Sequence, residues 1–259
     1  MPQHLRTPPR QSLLNGSRLN IQDVIPPEQQ AHNIASHSIP ADLECLSDSS
    51  PPPQPEKHIP SPLEIQLASI QHNTNTNFDF VNKFFLALAK SRGWVDTKHI
   101  EVLMWSLGKK HSLVVHQEQA DFVSPWLLSH LEAKSRSFKK AINKDLHRFD
   151  DQLWQFVLAP RRSWLLDVQT IYAPMNLQDR HWVGLAIHLQ TKLIQGYYTN
   201  FQGGDCGPVA AKFMELHVNT VSDQRLWCFT DKMVDDFRKQ WAMDIYKDVV
   251  IPLYFPPPQ

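Results

Sequence analysis

The sequence has no aromatic residue before Phe78, although the chain of 259 residues contains eight tryptophans, 13 phenylalanines and five tyrosines. Its first 64 residues hold 12 of the 20 prolines and show no sustained apolar periodicity. A segment of this composition cannot bury enough apolar surface to offset the conformational entropy lost on ordering. We therefore expect residues 1–64 to be a disordered tail and residues 65–259 to form one folded domain.

Cysteine is also scarce. Cys45, Cys206 and Cys228 are an odd number of cysteines at wide spacings, which argues against a secreted disulfide framework and indicates a reducing compartment. No apolar run reaches the ~18 residues of a membrane span, and the N-terminus lacks the charged-then-apolar pattern of a signal peptide. The sequence predicts an intracellular protein that makes no membrane contact.

The formal net charge is zero, because 26 basic residues are matched by 26 acidic ones. A nucleic-acid binder uses a positive field to make its phosphate contacts, so nucleic acid is not an expected partner. The basic run from Lys134 to Lys144 is most simply the solvated face of a helix.

Nothing in the sequence predicts a cofactor or a metal. It has no phosphate-binding glycine loop. Cys206, His217 and Cys228 are separated by gaps of eleven residues, which do not resemble the close ligand pairs of a zinc site.

Apolar periodicity predicts helices in the first half of the domain. Apolar residues spaced three and four apart favour a helix over residues 78–91, ended by Gly93. Asp96 is suited to cap a second helix that has Gly108 near its end. A third helix is expected over residues 125–147.

The second half begins with a β pattern. Residues 171–174 resemble a short strand closed by a proline, residues 183–189 alternate at period two, and residues 193–198 form another β-prone run after a polar turn. We expect a small sheet with a hairpin.

A helix beginning at Cys206 follows, with Pro208 in its first turn, where a missing N–H costs nothing. A last helix over residues 231–247 precedes the strand-like residues 249–251. The architecture predicted is α+β.

Cys206 is the strongest candidate for a reactive group. A thiol at a helix N-terminus faces unpaired N–H groups and the positive end of the helix dipole, which favour the thiolate. Nearby glycines, at positions 203, 204 and 207, let backbone N–H groups approach a substrate carbonyl. His181, at the start of the alternating strand, is a candidate base. A buried structural thiol and a surface histidine are the alternatives.

Several segments occur in the order found in the ubiquitin-like-protein protease family, which comprises the SUMO proteases and many plant relatives. They are Trp94–Glu101, Ile171–Asn176 leading to His181–Ile187, and Gly203–Gly207. Residues Phe237–Ala242 are similar to the terminal helix of plant members. The chain thus resembles this family over roughly residues 80–250.

The resemblance implies a papain-like cysteine protease fold, with helices packed on a small mixed sheet. It implies cleavage after the Gly-Gly tail of SUMO or a related modifier, with Cys206 as nucleophile and His181 as base. Trp94 and Trp182 would line a narrow substrate tunnel, although core packing is the alternative for both. The expected partners are SUMO-like proteins and their conjugates, and we expect a monomer in the nucleus or cytoplasm.

The sequence departs from the family where the histidine should be oriented. The family's second strand ends in a carboxylate, but Tyr197–Thr199 stand at that place, and no Asp or Glu occurs between residues 182 and 204. The stretch from His181 to Cys206 is also shorter than in typical members. An amide can orient a catalytic ring, so Gln195 or Asn176 could substitute.

The residue expected to stabilise the oxyanion also differs from the family pattern. The family places a glutamine six residues before the cysteine, where this chain has Asn200, and Gln202 falls two residues late. Both are oxyanion candidates, since each amide can donate a hydrogen bond. The sequence is consistent with an impaired protease, and alternatively with an inactive modifier-binding module or a truncated splice product.

Overall fold

The protein is described by a computed structural model over residues 59–74, 76–144, 146–159, 162–197, 203–220 and 229–255. Most of the predicted tail, residues 1–58, lies outside these ranges. No helix within them is long and apolar enough to cross a membrane. The same part of the chain shows no group of His, Cys, Asp or Glu side chains able to hold a metal ion.

Nine helices and eight strands are formed by the described residues. In chain order they are α1 (Pro62–Ala68), β1 (Gln71–His72), β2 (Phe80–Val81), α2 (Asn82–Ala89), α3 (Thr97–Lys110), α4 (Ser112–Gln117), β3 (Ala120–Phe122), α5 (Trp126–Lys140), α6 (Asp151–Val157), β4 (Leu158–Ala159), β5 (Arg162–Ser163), β6 (Thr170–Leu177), β7 (His181–His188), β8 (Leu193–Tyr197), α7 (Cys206–Val218), α8 (Asp231–Val249) and α9 (Ile251–Tyr254).

The first helix begins before the predicted domain boundary at residue 65. The Ser61 hydroxyl accepts a hydrogen bond from the Glu64 N–H, and the Glu64 carboxylate accepts one from the Ser61 N–H. This reciprocal capping box satisfies two N–H groups that the helix leaves unpaired. Residues 62–64, predicted to belong to the tail, are therefore helical.

The predicted first helix is too long at both ends. Phe80 and Val81 form β2, which pairs with β1, and α2 ends at Ala89, ahead of Gly93. The second predicted helix agrees with α3, where the Asp96 carboxylate accepts from the His99 N–H at 3.0 Å. The third, α5, ends at Lys140 and not at residue 147. Neither α4 nor α6 was predicted.

The central sheet has the strand order β3-β6-β7-β8. β3 runs parallel to β6, while β6, β7 and β8 pair antiparallel, so the sheet is mixed as expected. β6 extends through Pro174 to Leu177, which pairs with His181 at the start of β7. The β7-β8 hairpin agrees with the predicted alternation.

Hydrophobic clusters cover both faces of the sheet. Tyr172 belongs to the larger cluster, which it shares with α2, α3, α7 and α8. Its neighbours Ile171 and Ala173 belong to the smaller cluster, which they share with α5 and α6. Because successive strand residues point to opposite faces, β6 separates the two clusters.

The predicted C-terminal strand over residues 249–251 is wrong. Val249 ends α8 and Ile251 starts α9. Both Val249 and Val250 are buried in the larger cluster, so packing against the core overrides their β propensity.

Candidate active site

Cys206 is the first residue of α7, as predicted. Its Sγ accepts a hydrogen bond of 3.4 Å from the Trp182 backbone N–H. That N–H belongs to the peptide group joining His181 to Trp182. The fold therefore brings the N-terminus of α7 against the start of β7. The candidate nucleophile Cys206 is the first residue of α7, and the candidate base His181 is the first residue of β7.

The Cys206 thiol is buried, with only 2% of the residue exposed. Burial raises its pKa, and the hydrogen bonds from backbone N–H groups, including that of Trp182, only partly offset this; the Asp205 charge raises the pKa further. The stabilised thiolate expected from the helix N-terminus is therefore not supported. In the resting protein, desolvation outweighs the backbone donors.

The two candidate tunnel tryptophans differ in burial. Trp182 is 2% exposed, and its indole N–H donates to the carbonyl oxygen of Val95 at 3.0 Å, so its ring packs in the core. Trp94 is 43% exposed. Their tunnel roles remain predictions, and Trp94 is the one of the two that a substrate could reach in this conformation.

The loop that carries Trp94 lies directly on the loop that carries the thiol. The Gly204 N–H donates to the Arg92 carbonyl oxygen at 3.1 Å. A Cβ atom on Gly204 would lie 2.2 Å from the Trp94 nitrogen, and one on Gly207 would lie 2.3 Å from Cγ2 of Val95. Because Gly204 and Gly207 have no side chain, the two loops can pack closely. The Gly204 N–H is bonded to Arg92, so in this conformation it is not available to a substrate carbonyl oxygen.

A buried ion pair behind Cys206 was not foreseen from the sequence. Nη1 of Arg238, on α8, donates to Oδ1 of Asp205 at 2.7 Å. Burial acts to raise the pKa of Asp205 and to lower that of Arg238, while their ion pair opposes both changes. Arg238 falls within the segment singled out for its family resemblance, but no spacing rule pairs it with a residue 33 positions away.

The amides expected to orient His181 are placed elsewhere. Gln195 Oε1 lies 2.8 Å from Nε2 of His217, so this side chain is engaged by another histidine. Nδ2 of Asn176 donates to Oδ1 of Asp179 at 3.4 Å, so this amide is engaged within its own turn. The suggestion that Gln195 or Asn176 replaces the family's carboxylate is not supported.

The oxyanion candidates Asn200 and Gln202 lie outside the described residues, as does the Tyr198-Thr199 segment. Their roles stay predictions. His181 is described at the first position of β7, where it is half-buried.

Comparison with known protein families gives a match over the catalytic part of the chain. A family model described as the Ulp1 protease family, C-terminal catalytic domain, matches residues 93–198 and 192–252. These ranges cover more than half of the chain. A comparison with curated proteins gave no significant match.

Solved structures share the fold. A structure of the SUMO protease Ulp1 with its catalytic cysteine oxidized to a sulfinic acid has a TM-score of 0.51 and 17% identity, covering 70% of this chain and 90% of that one. Another, with the cysteine oxidized to a sulfonic acid, has a TM-score of 0.50 and 16% identity, covering 72% and 93%. At these identities the likeness establishes the fold, which is the α+β, papain-like arrangement expected.

Proposed function

The chain belongs to the Ulp1 protease family, a family of cysteine proteases, and on that premise we propose that it cleaves after the C-terminal Gly-Gly of SUMO or a related ubiquitin-like modifier. The observation that carries the proposal is the hydrogen bond from the peptide group following His181 to Sγ of Cys206. The name of the solved relative, a SUMO protease, supports this class of substrate.

In the proposed reaction Sγ of Cys206 attacks the carbonyl carbon of the terminal glycine. The thiol proton passes to His181 and then to the departing amine, which leaves a thioester between Cys206 and the modifier. Water hydrolyses the thioester, releasing the modifier carboxylate and restoring the thiol. Because burial raises the pKa of Cys206, the thiol is protonated at neutral pH and its proton must be removed during attack. His181 must therefore accept this proton during the attack, a step that a base beside a preformed thiolate would not perform.

Selectivity for glycine is proposed from the family resemblance, in which Trp94 would line a tunnel that admits only residues without a side chain. The exposure of Trp94 supports this role, since 43% of the residue is open to solvent. The packing of its loop on Gly204 holds Trp94 beside the loop that carries the thiol.

We further propose that turnover is weak. The sequence from residue 182 to residue 204 supplies no carboxylate, and Gln195 is engaged by His217. In the serine-protease template, loss of the orienting carboxylate lowers kcat by ~10⁴. The alternative, a modifier-binding protein without turnover, is favoured by the burial of Cys206.

The test is labelling with a SUMO protein that carries a C-terminal electrophile, followed by a cleavage assay on a SUMO precursor. We expect covalent labelling that Cys206→Ala abolishes and His181→Ala slows, with slow precursor cleavage. Cys45→Ala is the matched control and should label normally. Binding without labelling would establish the alternative, and cleavage at the rate of Ulp1 itself would contradict the impairment.

A further inference from the structure

Arg238 is the most heavily bonded charged side chain near the nucleophile, and its side chain is completely buried. Besides the ion pair with Asp205, its Nε donates to the Leu88 carbonyl oxygen at 2.9 Å. Its Nη2 donates to the carbonyl oxygens of Gly93 at 2.8 Å and Ala87 at 3.2 Å. The planar fork of arginine suits several acceptors at fixed angles.

These acceptors belong to separate segments of the site. Ala87 and Leu88 lie in the last turn of α2, where carbonyl groups lack the usual partners within the helix. Ala87 also accepts a hydrogen bond of 3.4 Å from the N–H of the capping residue Lys90. Gly93 immediately precedes Trp94, and Asp205 immediately precedes Cys206. One side chain from α8 thus joins the loop of the exposed tryptophan to the loop of the thiol.

The two loops also meet through their backbones, since Gly204 donates to Arg92. This hydrogen bond forms only when the two loops are held at a fixed distance. Arg238 bonds to Gly93, which follows Arg92, and to Asp205, which follows Gly204. The arrangement leaves little freedom, because a Cβ atom on Gly93 would already lie 3.3 Å from Nη2 of Arg238.

Arg238 also balances a charge beside the thiol. The Asp205 carboxylate raises the pKa of Cys206, after the larger effect of burial, and Arg238 is the cation bonded to that carboxylate. The other titratable groups around this junction are His181 on β7, Arg92 in the adjoining loop, and Asp231 and Asp235 on α8. Since Arg92 is paired with Asp231, Arg238 is the principal partner of Asp205.

We infer that Arg238 is a positioning residue for Cys206, which fixes the Trp94 loop against the Cys206 loop and neutralises Asp205 next to the nucleophile. The inference rests on the proposed role of Cys206. It assigns a function to α8, which supplies none of the predicted catalytic groups.

The charge effect is tested by the pH dependence of Cys206 alkylation, followed by mass spectrometry after brief iodoacetamide treatment. The variants are Arg238→Met, Asp205→Asn and the two combined. Arg238→Met leaves a bare carboxylate near the thiol, so the midpoint should move to higher pH and the rate at pH 7 should fall about tenfold. Asp205→Asn should move the midpoint the other way, and the double variant should return it towards wild type.

A purely structural role would not give opposite shifts or restoration in the double variant. Equal midpoints in all variants would overturn the inference. If Arg238→Met does not fold, Asp205→Asn alone tests the charge effect. An unshifted alkylation midpoint in Asp205→Asn contradicts that effect.

The geometric effect is tested with Arg238→Lys, which keeps the charge and loses the fork. The iodoacetamide midpoint should stay unchanged, while labelling by the SUMO electrophile should slow by on the order of 10². Lys232→Met, which removes an exposed ion pair with Asp236 on the same helix, should leave both rates within about twofold. Normal electrophile labelling of Arg238→Lys would refute the geometric role.

The two proposals fail in different ways. If the SUMO electrophile does not label the wild-type protein, the proposed function is wrong. The iodoacetamide profiles remain informative in that case, because they require no modifier.

Discussion

Gly204 is the position in the site where a single added methyl group has least room. Its Cβ would lie 2.2 Å from the Trp94 nitrogen and 2.4 Å from the Gly93 carbonyl carbon. Both are backbone atoms, so a rotamer change cannot relieve the contact. We expect Gly204→Ala to lower the free energy of unfolding by roughly 3 kcal/mol, measured by urea denaturation.

Gly108 provides the matched control, because it lies inside α3 and a Cβ there would meet Phe122 at an ordinary 3.8 Å. Gly108→Ala should raise the free energy of unfolding by about 0.5–1 kcal/mol, the usual preference for alanine within a helix. If both variants were equally stable, the close contact between the two loops would be disproved.

The thiol of Cys206 gives a pH dependence of stability. Because burial raises its pKa in the folded state, the folded protein holds the proton more tightly than the unfolded chain does. This stabilisation is complete below the unfolded thiol pKa and is lost as pH rises through the folded value. We expect wild type to lose stability relative to Cys206→Ala between pH 7 and pH 10, in urea unfolding measured at both pH values.

Cys45→Ala serves as the comparison and should track wild type across this range. A constant difference between wild type and Cys206→Ala would show that the thiol titrates normally in the folded protein.

Single residues were predictable where their chemistry is local. Cys206 at a helix start and Asp96 at another follow from neighbouring residues, because capping depends on a few consecutive positions. The Asp205–Arg238 pair and the Gln195–His217 contact depend on how α8 packs and on the β7-β8 register. No rule of spacing within the sequence contains that information.

At the scale of elements, α3 is anchored at its N-terminus by Asp96. Burial acts to raise the pKa of this carboxyl, but hydrogen bonds and the charge interaction with His99 lower it overall. The stabilisation is therefore present above the unfolded pKa of about 3.9 and is lost as pH falls through the lowered folded value. Asp96→Ala should cost about 1 kcal/mol at neutral pH, with a smaller cost at pH 2, measured by thermal unfolding.

Asp96→Asn is the control, since an asparagine side chain also caps a helix. It should recover most of the stability at neutral pH and show a weaker pH dependence. A full loss with asparagine would mean that the charge, and not the cap, supports α3.

Elements were predicted best where the pattern was long. α3 and β7 have several turns or alternations, whereas Phe80–Val81 and the residues 249–251 offer only two or three apolar positions. Such short runs fit a helix or a strand equally well. For Val249 and Val250 the choice is made by burial at the end of the 19-residue helix α8, which the local sequence does not reveal.

At the scale of the whole molecule, the first described helix follows the Ser61 cap, and the composition of the preceding residues predicts a disordered tail. We propose from composition that the preceding residues are dispensable. Limited proteolysis should remove them first and leave a core starting near residue 59, with an unchanged melting temperature. A protease-resistant fragment from residues 1–58 would refute this proposal.

The long-range bonds of Arg238 have a consequence for the order in which the protein is made. Asp205, next to the thiol, and Arg238 are separated by 33 positions, so a growing polypeptide contains the thiol before it contains the side chain that we infer fixes its loop. Contacts of such separation form only after the intervening chain is present. On the proposed role of Cys206, the nascent protein therefore carries the nucleophile before its loop is fixed, and proteolytic activity should begin only once synthesis has passed α8.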